Sequence, residues 1–118
     1  MSAVAAEFRQ LRARRGHFSG GEWNNALDKW GGRKHQVMGV LREALGDGRH
    51  TRAQVLALLG SPDEILALRD AMFPQAYGDG DPRVRELLVH RWRGRHDFLF
   101  FASDGALVLA SGWWAALE

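Results

Sequence analysis

Five histidines, His17, His35, His50, His90 and His96, are the side chains here that could ligate a metal or move a proton near neutral pH. No two of them stand three or four residues apart, the spacing that places a zincin-type pair on one helical face. His90 and His96 fall on neighbouring predicted strands, and a turn at Gly94-Arg95 would make them close to cross-strand neighbours. With Asp97 they are the one arrangement that resembles a weak metal site, and surface or capping roles explain the histidines more economically. Ser103 with His90 and Asp104, or Ser111, supplies the residue types of a nucleophile and its base. No Gly-x-Ser-x-Gly elbow accompanies them, and no spacing suggests an oxyanion hole. Asp79 with Asp81, and Asp63 with Glu64, are carboxylate pairs accounted for by turn and capping chemistry. The expectation is therefore no catalytic residue, no metal ligand and no cofactor.

Binding chemistry is better represented. In Arg91-Trp92-Arg93-Gly94-Arg95-His96 an indole could stack on a base while guanidinium groups meet phosphate. Arg9, Arg12, Arg14 and Arg15 could extend such a patch. The competing reading is that arginines on an exposed strand edge block edge-to-edge aggregation. Gly31-Gly32-Arg33-Lys34 precedes a predicted helix as a phosphate-binding turn would, without P-loop or dinucleotide spacing. Five tryptophans occur in the chain. Trp113 and Trp114 project to opposite sides of an extended segment, so only one can enter a given core face. The other is exposed, sheltered by N-terminal helices, or part of an interface, where tryptophan is enriched. Arg91, Trp92, Arg93, Arg95, Trp113 and Trp114 are the candidate binding residues.

The elements that must hold these residues follow from periodicity and punctuation. The stretch His90 to Ala110 is rich in aromatic and β-branched residues and is broken at Gly94-Arg95 and at Asp104-Gly105. The second break is a strong signal for a type I′ hairpin. Three antiparallel strands are expected, about Glu86 to Arg93, His96 to Ser103 and Ala106 to Trp113. Phe98, Phe100 and Ala102 alternate with Leu99, Phe101 and Ser103, so both faces are apolar and both need a cover.

Upstream, Val4, Phe8 and Leu11 mark a short amphipathic helix stopped at Gly16. Ser19 and Glu22 suggest a capping box for a second helix, with Trp23, Ala26, Leu27 and Trp30 as its stripe. A third runs from Arg33 to Leu45, burying Val37, Val40, Leu41, Ala44 and Leu45. Thr51 and Gln54 form a cleaner capping box for a helix carrying Val55, Leu56, Leu58 and Leu59. Ser61-Pro62-Asp63-Glu64 reads as the start of its partner, with Ile65, Leu66, Leu68 and Met72, ending before Pro74. Phe98, Phe100 and Val108 are expected beneath this helix pair. Leu99 and Phe101 are then left for the N-terminal stripes, within one chain or across a two-fold dimer.

The fold class expected is α+β: N-terminal helices and a helix pair packed on a three-stranded antiparallel β-meander. Residues 1–118 read as a single domain, with 1–48 a helical extension and 49–118 the helix pair plus meander. At 118 residues the chain can bury a core without staples. The absence of cysteine removes disulfides, thiolate metal sites and a thiol nucleophile. Net charge is only +2, and fourteen of the sixteen basic residues are arginine, a bias that a GC-rich genome explains as well as anion binding does. No apolar run reaches the roughly 20 residues of a membrane span. The segment Met1 to Glu7 lacks the basic start of a signal peptide, so the expected location is the cytoplasm, away from membranes.

The string Thr51-Arg52-Ala53-Gln54-Val55-Leu56-Ala57-Leu58-Leu59-Gly60-Ser61-Pro62-Asp63-Glu64 resembles the signature of the SmpA/OmlA-type small-lipoprotein domain. That domain shares its architecture with β-lactamase inhibitory proteins. Arg91-Trp92-Arg93, Phe98 to Gly105 and Leu107 to Leu109 match its later strands, so the resemblance covers roughly residues 51 to 110. It implies two helices on a three-stranded antiparallel sheet and a role in binding proteins rather than in catalysis. The chain departs from the family in lacking a lipobox cysteine and in carrying residues 1–50 ahead of the motif. The expected function is a non-catalytic protein-interaction module, as monomer or homodimer with a protein partner. Nucleic-acid binding through the basic–aromatic strand is the alternative.

Overall fold

The computed structural model describes residues 2–78, 80–94 and 97–115. Its centre is a five-stranded antiparallel sheet in the order β1-β5-β4-β3-β2. The middle of that sheet is the expected meander: β3 (Glu86–Arg93), β4 (Asp97–Ser103) and β5 (Leu107–Ala115). Two short edge strands extend it beyond the three expected. They are β1 (His50–Thr51), paired with β5, and β2 (Glu64–Ala67), paired with β3.

Strand β2 corrects the helix expected after Pro62. Asp63 decides the conformation: its N–H donates to the Val89 carbonyl at 2.8 Å. Its carboxylate accepts the Arg91 N–H at 2.7 Å and the Arg12 guanidinium at 2.9 Å. The Val89 and Arg91 bonds bind the segment to β3 before a helical turn can close, Arg12 ties it to the first helix, and tertiary pairing overrides a local capping signal. Ile65 and Leu68, expected in the core, are exposed, while Leu66 is buried. The following helix, α5 (Met72–Tyr77), contains Pro74 instead of ending before it. Proline is tolerated there because first-turn N–H groups have no intrahelical partner.

The sheet separates two apolar clusters. On one face Leu88, Trp92, Leu99, Phe101 and Val108 meet three helices: α1 (Ser2–Arg12), α3 (Arg33–Leu45) and α4 (Arg52–Leu59). Phe8 and Leu11 of α1, Val37, Met38, Leu41 and Leu45 of α3, and Val55 and Leu59 of α4 fill this core. Within α3, Val40 is exposed where the periodicity placed it inside, and Met38 takes the buried position. On the other face Leu87, Val89, Phe98, Phe100 and Ala102 are covered by Phe73 and Tyr77 of α5 and by Val84. The two helical layers are thus assigned the reverse of the expected way for Phe98 and Phe100. Val108 lies with Leu99 and Phe101 because a register shift between Ala102 and Ser103 breaks the alternation.

The capping box of α4 forms as expected, with Thr51 accepting from the Gln54 N–H and Gln54 reaching back to the Thr51 N–H. The Asp104-Gly105 turn is not type I′, since only Gly105 has positive φ. Asp104 instead accepts the N–H groups of Ala106 and Leu107 on one carboxylate oxygen, an Asx-type loop.

Candidate binding surface

The expected helix around Trp23 to Trp30 shrinks to one turn, α2 (Asn25–Asp28). Its cap is Asn24, accepting from the Ala26 N–H, and not the Ser19 and Glu22 box. Asp28, almost fully buried, organises the loop before it. Its Oδ2 accepts the N–H groups of His17 at 2.9 Å and Asn24 at 2.8 Å. Gly16 allows this approach, because a Cβ there would stand 2.5 Å from the Asp28 carboxylate. The short turn turns the two flanking indoles outward. Trp30 is 65% exposed and Trp23 is 53% exposed, with Phe18 exposed beside them.

These rings are joined through the interior by planar groups. Trp30 packs on His35 at 4.2 Å between centroids, and His35 in turn lies 4.5 Å from Trp92 and 5.2 Å from Trp113. The Arg93 guanidinium bridges Trp92 at 4.1 Å and Phe18 at 4.9 Å, and Phe18 meets Trp23 at 6.2 Å. Trp92 is the anchor: it is 3% exposed, and its indole N–H donates to the Leu27 carbonyl at 2.9 Å. The result is an aromatic surface at the end of the helix-covered face, built from α2, the start of α3, and the ends of β3 and β5.

Beneath it lies a buried cation. Lys34 Nζ donates to the Trp92 carbonyl at 2.7 Å, and burial pushes its pKa down from the ordinary lysine value. His35 accepts the Gly31 N–H on Nδ1 at 3.2 Å, and burial together with the nearby Arg93 charge lowers its pKa.

The sequence candidates are divided by this geometry. Trp92, Arg93 and Trp113 join the aromatic surface. Arg91 and Trp114 stand on the opposite face in one row with Phe98. Arg95 lies outside the described residues, as do His96 and Asp79. Both described guanidinium groups among these candidates have acidic neighbours: Arg91 faces Glu64 at 3.5 Å with its buried Nε unpartnered, and Arg93 binds Asp97 at 3.1 Å and the Asp28 carbonyl at 2.6 Å. Arg9 and Arg12 tie α1 to the C-terminal end of α4, donating to the carbonyls of Leu58 and Leu59. Arg33 pairs with Glu7, at 2.6 Å through Nη2. Neither Arg33 nor Lys34 is therefore poised over the Gly31-Gly32 turn.

The catalytic arrangements do not assemble. The Ser103 hydroxyl donates to Glu86 at 2.8 Å and Ser111 to the Arg42 carbonyl at 2.7 Å, while His90 has no hydrogen-bond partner among the described residues. No group of three or more His, Asp or Glu placed to hold a metal occurs among the described residues. No described helix is long and apolar enough to cross a membrane.

Phe18, Trp23, Trp30 and His35 are the members that sequence reasoning did not gather. A signal existed in Asn24, an N-cap residue type, which starts the helix after Trp23 and leaves that indole outside it. Comparison with protein-family models, with curated proteins and with solved structures found no match to this chain.

Proposed function

We propose that this protein is a non-catalytic protein-interaction module whose contact surface is the aromatic cluster around Trp30. The observation that carries this reading is the exposure of Trp23, Trp30 and Phe18 on one internally packed aromatic group. Exposed indoles held by packed neighbours, Trp30 by His35 and the buried Trp92, and Trp23 by Phe18 and His17, supply contact area with less side-chain entropy left to lose. The SmpA/OmlA-type resemblance of residues 51 to 110 points to the same class of function.

One feature favours nucleic acid as the second reading. Among the described residues, Arg14, Arg15 and Lys29 near the cluster have no carboxylate within ion-pairing distance. Single-stranded nucleic acid could stack on the indoles while these cations meet phosphate.

A side-by-side capture separates the readings. Wild-type protein and a Trp23→Ala/Trp30→Ala variant of equal melting temperature are immobilised and exposed to lysate. The module reading expects a protein partner retained in stoichiometric amount by wild type and lost by the variant. Retention by both, or by neither, counts against it. Tight binding of a single-stranded oligonucleotide that weakens steeply with salt would favour the alternative.

A further inference from the structure

His90 sits on the central part of β3 with no exposure to solvent, and neither ring nitrogen has a hydrogen-bond partner among the described residues. Its ring is held edge-on between two phenylalanines, Phe8 of α1 at 5.6 Å and Phe101 of β4 at 5.9 Å. A neutral imidazole fills this space much as a phenyl ring would. An imidazolium donates from both nitrogens, and no described protein group stands within hydrogen-bond distance to accept either proton.

We propose that protonation of His90 releases α1 from the sheet, making the N-terminal helix an acid-labile cover. The two walls of the site differ in what it costs to move them. Phe101 belongs to β4, which is paired along its length with β3 and β5. Phe8 belongs to α1, which has no part in the strand pairing and is joined to the next element by residues 13–16. That helix is held by its apolar stripe, by the Arg9 and Arg12 bonds to α4, by the Arg12 bonds to Ser61 and Asp63, and by the Glu7–Arg33 pair. Lifting α1 hydrates the imidazole and gives up the Arg12–Asp63 pair, while Asp63 keeps the backbone bonds to Val89 and Arg91 that join β2 to β3.

The charges around the site oppose protonation in place. Among the charged groups, Arg12 of α1 disfavours the imidazolium, and Asp63, ahead of β2, acts against it. Asp63 is already engaged by Arg12. Lys34 of α3 feels the same Arg12 and Asp63. Phe101 of β4 adds no charge. Burial, with Arg12 second, moves the His90 pKa from 6.5 to about 4. Protonation therefore favours the released state as pH falls below the ordinary histidine value.

The test is hydrogen exchange on the full chain at pH 7.5 and pH 5.0, with rates corrected for intrinsic chemistry. With a pKa near 6.5 released and about 4 docked, the opening constant of residues 2–12 should rise about 30-fold at pH 5.0. Protection in β3 and β4 should hold. In His90→Gln or His90→Leu the opening should lose its pH dependence. Unchanged protection of residues 2–12, loss of sheet protection in step with theirs, or the same rise in a folded His90 variant would each overturn the proposal. Should neither variant fold, imidazole titration followed by NMR in the wild-type chain decides. Amide shifts of α1 should track the His90 midpoint, and a separate midpoint refutes the release.

Discussion

The two faces of the sheet solve the same problem with unequal means. Leu99 and Phe101 lie under three helices, whereas Phe98 and Phe100 lie under the six-residue α5 and the segment reaching Val84. The thicker layer tolerates polar groups inside it: Asp28, Lys34 and His90 are all buried on or beside that face. It also fails to close at one end, where Trp30, His35 and Trp113 continue the core outward as an aromatic surface. Among the described residues the thinner layer encloses no whole polar residue, only the Nε of Arg91. Candidate functional chemistry thus collects where the helical cover is deepest and then stops short.

The sharpest test of this asymmetry is a pair of matched truncations. Phe101 has no exposure and is enclosed on every side, so Phe101→Ala should cost about 3–5 kcal/mol. Phe100 is 5% exposed and is covered by Tyr77 at 6.2 Å, from an element that can settle into the space left. Phe100→Ala should fall at or below the bottom of that range, near about 2–3 kcal/mol. Urea unfolding at pH 7.5 measures both. Equal losses would mean that the two layers bear on the sheet alike, and the contrast would fail.

Much of this division was legible in the residues. The alternation of Phe98 to Ser103 announced two apolar faces, and the stripes of Val4 to Leu11 and Val37 to Leu45 announced the cover for one of them. Thr51 and Gln54 announced a helix start that forms as read. What could not be read was long-range. Ser61 to Glu64 carries a good local helix signal, and only the pairing of Asp63 with Val89 and Arg91 makes it an edge strand. The strip from Arg91 to Arg95 is divided for a related reason: strand alternation separates Arg91 from Trp92, and the carboxylates that engage Arg91 and Arg93 come from contacts that the local sequence does not display. The aromatic surface was hidden because a stripe at helical spacing reads as core unless the helix is too short to bury it.

A milder perturbation asks how firmly the thick layer is fastened at its edge. Thr51 ends β1 and caps α4, so the same residue joins the sheet to a helix above it. The Arg52 N–H donates to the Ala106 carbonyl at 2.8 Å, and its side chain pairs with Glu86 at 2.6 Å. Thr51→Ala removes the acceptor for the Gln54 N–H and should cost about 1 kcal/mol. Thr51→Ser should recover most of it. A Thr51→Ala loss within error of zero would show that the strand pairing and Arg52 hold α4 without its cap.

The smallest effect is expected at the open end of the thick layer. Trp30 is 65% exposed, so Trp30→Ala should leave the unfolding midpoint within about 0.5 kcal/mol of wild type. Its consequence should appear instead in the neighbour it shelters. Trp30 lies 4.2 Å from the His35 ring, whose pKa is lowered first by burial and then by Arg93. Removing the indole admits water to the imidazole and relieves the larger of those causes, while the Arg93 charge stays. The His35 midpoint should therefore move up, toward the ordinary histidine value, and stop short of it. NMR titration of the imidazole reads this directly, with Trp23→Ala as the control, since Trp23 packs on Phe18 and His17 and not on His35. An unmoved or lowered midpoint in Trp30→Ala would mean that Trp30 does not cover His35 in solution, and that the aromatic surface is looser than the closed face from which it grows.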